Sequence, residues 1–150
     1  MKNTYYGFIV LIILLFGSII SLNAQDSELE LIKNEIMEQS KKEMLAFKDG
    51  DCDTLGALFD ENASLYLNGR KAPGKMALIK FCENIQRPFE KPSKMDMEYI
   101  PINESSAFVI RTMEFSKDGE IYKKEIVTKI WQKKNNCWKI IHLHSTITEL

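Results

Sequence analysis

At 150 residues, 45% of them hydrophobic and 27% charged, the chain suits one domain that buries roughly two-thirds of its unfolded surface. A formal net charge of −1 lacks the basic surplus of a nucleic-acid binder, and seven Gly with four Pro are too few for a disordered or fibrous chain. The averages describe a soluble globular domain and name no activity.

The first 24 residues depart from those averages. Lys2 is their only charge, and residues 8–20 (FIVLIILLFGSII) carry none. Leu22 and Ala24 stand where a signal peptidase tests the −3 and −1 positions, and polar sequence begins at once with Gln25 and Asp26. This order predicts a secretory signal peptide over residues 1–24 and one domain over residues 25–150. An uncleaved membrane anchor is the rival reading, because residues 5–22 are about long enough for a tight span. Cleavage removes one of 20 basic residues and none of 21 acidic ones, so the expected exported protein, periplasmic or secreted, has a net charge of −2. It keeps no stable membrane span.

Ser27-x-x-Glu30 is a capping box. Leu29, Ile32, Ile36, Met44 and Phe47 recur at near-helical spacing, so a helix with one buried stripe is expected to about Lys48. Asp49-Gly50-Asp51 ends it. A short second helix is expected from Asp51 or Asp53, either of which can cap its amides, with Leu55, Leu58 and Phe59 inward. Residues 63–67 read as a strand, Asn68-Gly69 as a hairpin turn, and residues 70–72 as a brief return strand. After Pro73-Gly74 a third helix is expected over residues 75–85, burying Leu78, Ile79, Phe81 or Cys82, and Ile85. Pro88 and Pro92 bound a loop. From Lys94 onward, Met95, Met97 and Tyr99 alternate with Asp96 and Glu98. Strands are expected at about residues 106–116, 121–133 and 137–148, joined at Asp118-Gly119 and Asn135-Asn136 as an antiparallel meander. Three helices followed by a long antiparallel sheet make an α+β chain.

Cys52, Cys82 and Cys137 all lie in the exported part, where disulfides are permitted. An odd count leaves at least one thiol unpaired, and the spacing forms neither a metal motif nor a redox pair. Cys82 sits in a helical apolar pattern that suits a buried structural thiol. One bridge is allowed, and the spacing does not say which.

Residues 47–81, FKDGDCDTLGALFDENASLYLNGRKAPGKMALIKF, resemble the front half of the nuclear transport factor 2-like superfamily, whose members include SnoaL-like and ketosteroid isomerase-like proteins. The shared features are the G-D-x-D-x-L step, the acidic F-D-E-N-A and the P-G-K opening of helix three. The later FVIRTMEF and TKIWQKKNNCWKIIHLHST are similar to the association (hub) domain of calcium/calmodulin-dependent kinase II and its stand-alone bacterial relatives. The resemblance covers residues 27–148. It implies a curved antiparallel sheet wrapped around three N-terminal helices, a cystatin-like cone with a pocket, and dimerisation through the outer sheet face. The superfamily mixes enzymes with binding and assembly domains, so fold alone does not decide function.

Arg111 and Lys129 fall where the hub-domain pattern has pocket-lining arginines, and Lys129 departs from it. Strand parity groups Arg111 with Val109 and Met113, and Lys129 with Val127 and Trp131. A cation among apolar and aromatic neighbours suits a ligand carboxylate, with Arg offering a bidentate fork; the competing reading puts both long cations on the outer face with their heads in water. The only histidines, His142 and His144, are spaced to share one face with Trp138 and Ile140. They suit a general base, a proton-linked ligand contact or a structural hydrogen-bonded pair, and a metal would need a third ligand for which no motif exists. Tyr66 can offer a hydroxyl to a pocket, or serve as a core aromatic.

The sequence therefore predicts an exported, homodimeric or higher-order domain binding a small polar or anionic molecule through Arg111, Lys129, Trp131, His142, His144 and Tyr66. No cofactor, metal or nucleic-acid partner is expected. The alternatives are a lyase or isomerase using a histidine as general base, and a non-catalytic hub-like assembly module.

Overall fold

The computed structural model describes residues 27–150, so the expected signal peptide lies outside the described residues. Residues 27–49 form helix α1. Its buried stripe contains Ile32, Ile36 and Ala46, with Phe47 packed against it. The stripe also holds two polar residues that the apolar periodicity passes over, Ser40 and Glu43. Gly50, at φ +78°, turns the chain out of α1. Helix α2, Cys52–Leu58, is capped by Asp51, whose Oδ1 accepts from the Thr54 amide at 3.0 Å.

Strand β1, Phe59–Leu67, starts earlier than its apolar alternation announces, because Asp60, Glu61 and Asn62 extend without an inward apolar side chain. Strand β2, Arg70–Ala72, returns beside it. Helix α3, Lys75–Asn84, turns Cys82 fully inward and leaves Phe81 exposed. Cys82 is not a free thiol: it is bonded to Cys52 across a Cα–Cα distance of 5.8 Å, which ties the start of α2 to the end of α3. Cys137 is free and exposed.

The loop after α3 is held at both ends. Arg87 Nη2 donates to the Phe47 and Cys82 carbonyls at 3.0 and 2.8 Å, and its guanidinium lies over the stacked Phe47 and Phe89 rings. Glu90 accepts from Lys123 Nζ at 2.6 Å and from the Tyr122 hydroxyl.

Strands β3 (Lys94–Asn103), β4 (Ser106–Lys117), β5 (Glu120–Lys134) and β6 (Cys137–Glu149) form the expected antiparallel meander. At Asn68-Gly69, Asp118-Gly119 and Asn135-Asn136 both central residues have positive φ. That is the turn geometry matching the right-handed twist of two flanking strands. The sheet as a whole is mixed, in the order β2-β1-β6-β5-β4-β3, because β1 pairs with β6 in parallel. This corrects the expectation of a wholly antiparallel sheet: β1 is fed by the helices and reaches β6 only by tertiary docking.

One sheet face carries the helices and the core, with Ala107, Val109, Val127, Trp131, Ile140 and Leu143 among its buried residues. Two ion pairs fix how α1 lies there. Lys133 Nζ meets Glu35 Oε2 at 2.7 Å, and Lys129 Nζ meets Glu43 Oε2. Eight helical residues rise about 12 Å and four strand residues about 13 Å, so the two spacings match with α1 antiparallel to β5. No helix among the described residues is long and apolar enough to cross a membrane.

Candidate site on the inner face of the sheet

Cross-strand partners share a face, so the ladder maps the inner surface row by row. One row runs Tyr99, Val109, Lys129, Leu143 and Leu65; the next runs Met97, Arg111, Val127, Ser145 and Leu67. Arg111, Lys129 and Trp131 therefore stand together on the inner face, against the reading that would place the two cations outside.

Their environments differ sharply. Lys129 is 4% exposed and its ammonium is taken by Glu43, 5% exposed, from α1. Burial pushes the Lys129 amine below its ordinary value, Glu43 opposes that shift, and the neighbouring Arg111 charge adds to it. Arg111 is half-buried, and its Nε is enclosed without a hydrogen-bond partner. Trp131, fully buried, leaves its indole N–H unpartnered, as Ser40 does its hydroxyl. Ser40 lies between the two helix anchors, at the level of Trp131. Unsatisfied buried donors are uncommon in native folds, so their collection along this strip marks it as a binding surface or a hydrated one. Near Arg111, Glu125 accepts from the Ser145 hydroxyl at 2.8 Å. Burial raises the pKa of the Tyr99 phenol on the same face.

His142, His144 and Tyr66 are not part of this group. Ile130 pairs with His142 while Trp131 pairs with Ile140, leaving Ile141 as a bulge. An extra residue reverses strand parity beyond it. Trp138 and Ile140 stay inside, and His142 and His144 emerge on the outer face, which corrects the expectation that all four share one side. There the Ser64 hydroxyl and His142 Nδ1 share a hydrogen bond of 2.7 Å. The Tyr66 ring lies 5.9 Å from the His142 ring and 6.4 Å from that of His144. The six candidates thus divide into two trios separated by the sheet.

Sequence periodicity missed Ser40, Glu43, Glu125 and Ser64. For the first two a signal existed: positions 40 and 43 continue the 29, 32, 36 spacing with polar residues, which marks a buried polar contact.

Among the described residues, two cavities bear on where the site lies. A small apolar one of about 80 Å³ lies between Leu65, Leu67 and Leu143 of the sheet and Ala77, Leu78 and Phe81 of α3. A larger, open depression of about 400 Å³ follows the β1–β2 edge past Glu61, Ser64, Lys71 and Gly74. Glu61 there is engaged by Lys75 at 2.6 Å, and no unpartnered buried donor faces the depression. We place the candidate site on the inner face for that reason. No three His, Cys, Asp or Glu side chains among the described residues come together as a metal site.

No protein-family model matches the sequence, and no curated protein does. Solved structures are similar in fold. An NTF-2-like protein of unknown function from Silicibacter pomeroyi has 16% identity and a TM-score of 0.59, over 75% of this chain and 92% of that one. A ketosteroid isomerase-like protein from Erwinia carotovora atroseptica has 17% identity and a TM-score of 0.58, over 77% and 95%. The calcium/calmodulin-dependent kinase II hub homology domain of Chlamydomonas reinhardtii has 16% identity and a TM-score of 0.56, over 79% and 98%. The chain has the α+β cone fold of the nuclear transport factor 2-like proteins.

Proposed function

We propose that the protein is an exported binding domain that holds a small molecule bearing one anionic group at Arg111, on the inner face of the sheet. The carrying observation is the enclosed guanidinium Nε that no residue satisfies. Lys129 is already neutralised by Glu43, so it shapes the site and Arg111 supplies the charge. A guanidinium in a partly dry setting favours a planar oxyanion such as a carboxylate. Export is supported by the n-, h- and c-region order of residues 1–24, and by the Cys52–Cys82 bridge, which suits an oxidising compartment.

The second part of the reading is a homodimer formed through the outer face. Phe108, Ile110 and Ile130 are only half-buried there, and Ile126 is 42% exposed in a central strand. A hub-domain neighbour adds weight to assembly through this fold. The lyase or isomerase reading gains nothing, since both histidines stand opposite the unsatisfied donors.

The test is thermal unfolding of residues 25–150 with and without benzoate, paired with the neutral benzamide. Benzoate is expected to raise Tm by ligand linkage, benzamide to do so less, and Arg111→Met to abolish the difference. Equal shifts for acid and amide in the unaltered protein overturn the assignment.

A further inference from the structure

Resting on the Arg111 site proposed above, we infer that its ligand is an amphipathic monocarboxylate whose apolar tail ends in the cavity beneath α3. That cavity is lined only by apolar side chains, and Leu143 of its floor is the direct cross-strand neighbour of Lys129. Arg111 stands on β4, and the cavity lies over β6, β1 and β2, where Ala72 also lines it. Its near edge at Leu143 is therefore two strand spacings from Arg111, about 10 Å, and its far side lies beyond that.

The floor between them is Val127, Ser145 and Leu143. The Ser145 hydroxyl, the one side-chain polar group of that strip, is spent on Glu125. A ligand lying across it meets methyl and methylene groups rather than an open donor. Half-buried Leu78 and exposed Phe81 form the α3 side of the cavity, which gives a route in past flexible or accessible side chains. A dry apolar cavity of about 150 Å³ holds a benzene ring, so the 80 Å³ here takes the last few carbons of a chain.

Charge selects a single anionic group. Of the inner-face cations beside α1, Lys129 is held by Glu43 and Lys133 by Glu35, and Arg111 meets no carboxylate among the described residues. Glu125 stands diagonal to Arg111, since Arg111 pairs with Val127 and Met113 with Glu125. A second carboxylate on the ligand would meet that negative charge without a cation of its own.

The experiment is isothermal titration of residues 25–150 with acetate, butanoate, hexanoate and octanoate, with octanamide and succinate as controls. Expected affinity rises with chain length by about fourfold for each methylene that enters the cavity, and succinate binds no better than acetate. Ala77→Phe, which fills the cavity from α3, should flatten the chain-length series and leave acetate unchanged. Ala72→Leu narrows the same cavity from β2 and serves where the first variant fails to fold. Arg111→Met should remove the preference of octanoate over octanamide and keep the chain-length dependence.

Affinity independent of chain length, with Arg111 still required, overturns the tail site and leaves the anion site standing. A chain-length gain that survives both cavity variants also overturns it. Acid and amide binding equally to the unaltered protein overturns the anion site itself.

Discussion

Glu43 is a carboxylate where helix periodicity calls for an apolar side chain, and Lys129 is an ammonium in the middle of a buried strand row. Each is tolerable only because the other is there. Removing one partner of such a pair leaves an uncompensated buried charge, which costs about 3–5 kcal/mol. Glu43→Gln and Lys129→Met should each lower stability by that order in urea unfolding. The double replacement Glu43→Leu/Lys129→Met should lose far less than the two single losses combined, because nothing charged remains to desolvate. Additive losses would show that the pair is not the unit. Spacing marks position 43 as a buried polar one and the hub-like pattern marks Lys129, but their pairing was not legible, since the two are distant in sequence and meet only when α1 docks on the sheet. Arg111 was legible as a candidate from the hub-domain resemblance, whereas strand parity alone left it equally at home on the outer face, and the interior ion pair it sits beside was not legible.

Among the elements, the turns and helix ends were the most legible parts, because their determinants are local. Asn-Gly, Asp-Gly and Asn-Asn accept the positive φ that tight hairpins require, and Asp51 needs only the amide three residues on. The bulge at Ile141 was invisible, because an inserted residue in a strand leaves an ordinary apolar alternation on either side of it. Its effect was large: it moved both histidines through the sheet. The Cys52–Cys82 bridge also depends on two helices meeting. Its closed loop spans a sequence separation of 30, for which chain entropy implies about 3.6 kcal/mol. Guanidinium unfolding of Cys52→Ala/Cys82→Ala should show a loss of that order, while Cys137→Ala stays near the unaltered protein. The anchor between α1 and β5 carries a pH signature. The Lys133 ammonium, followed by the Trp138 N–H, holds the Glu35 carboxyl below its usual range. A carboxyl with a lowered folded pKa adds stability above the unfolded value, about pH 4.3, and loses it as pH falls through the folded one. Tm measured from pH 7 to pH 3 should therefore fall more steeply for the unaltered protein than for Glu35→Gln, and parallel curves would deny the anchor its role.

At the scale of the whole molecule, three helices fill one face of an open sheet and leave the other face partly apolar. The proposed dimer gives that second face its cover. Sedimentation of residues 25–150 should return a dimer mass, and Ile126→Lys should shift it to monomer with Tm falling toward that of the isolated subunit. A monomer at high micromolar concentration removes the dimer and leaves the inner-face site untouched. The opening arithmetic of length and near-zero charge, with patterning on the scale of a turn or a strand, determined the class of fold, the order of elements and the hairpins, since those follow from local backbone preference and side-chain period. The tertiary structure alone decided the parallel β1–β6 pairing, the pairing of Cys52 with Cys82 rather than Cys137, and which candidates share a face. Those outcomes depend on contacts between residues far apart in the chain, where a single bulge or ion pair outweighs any local preference.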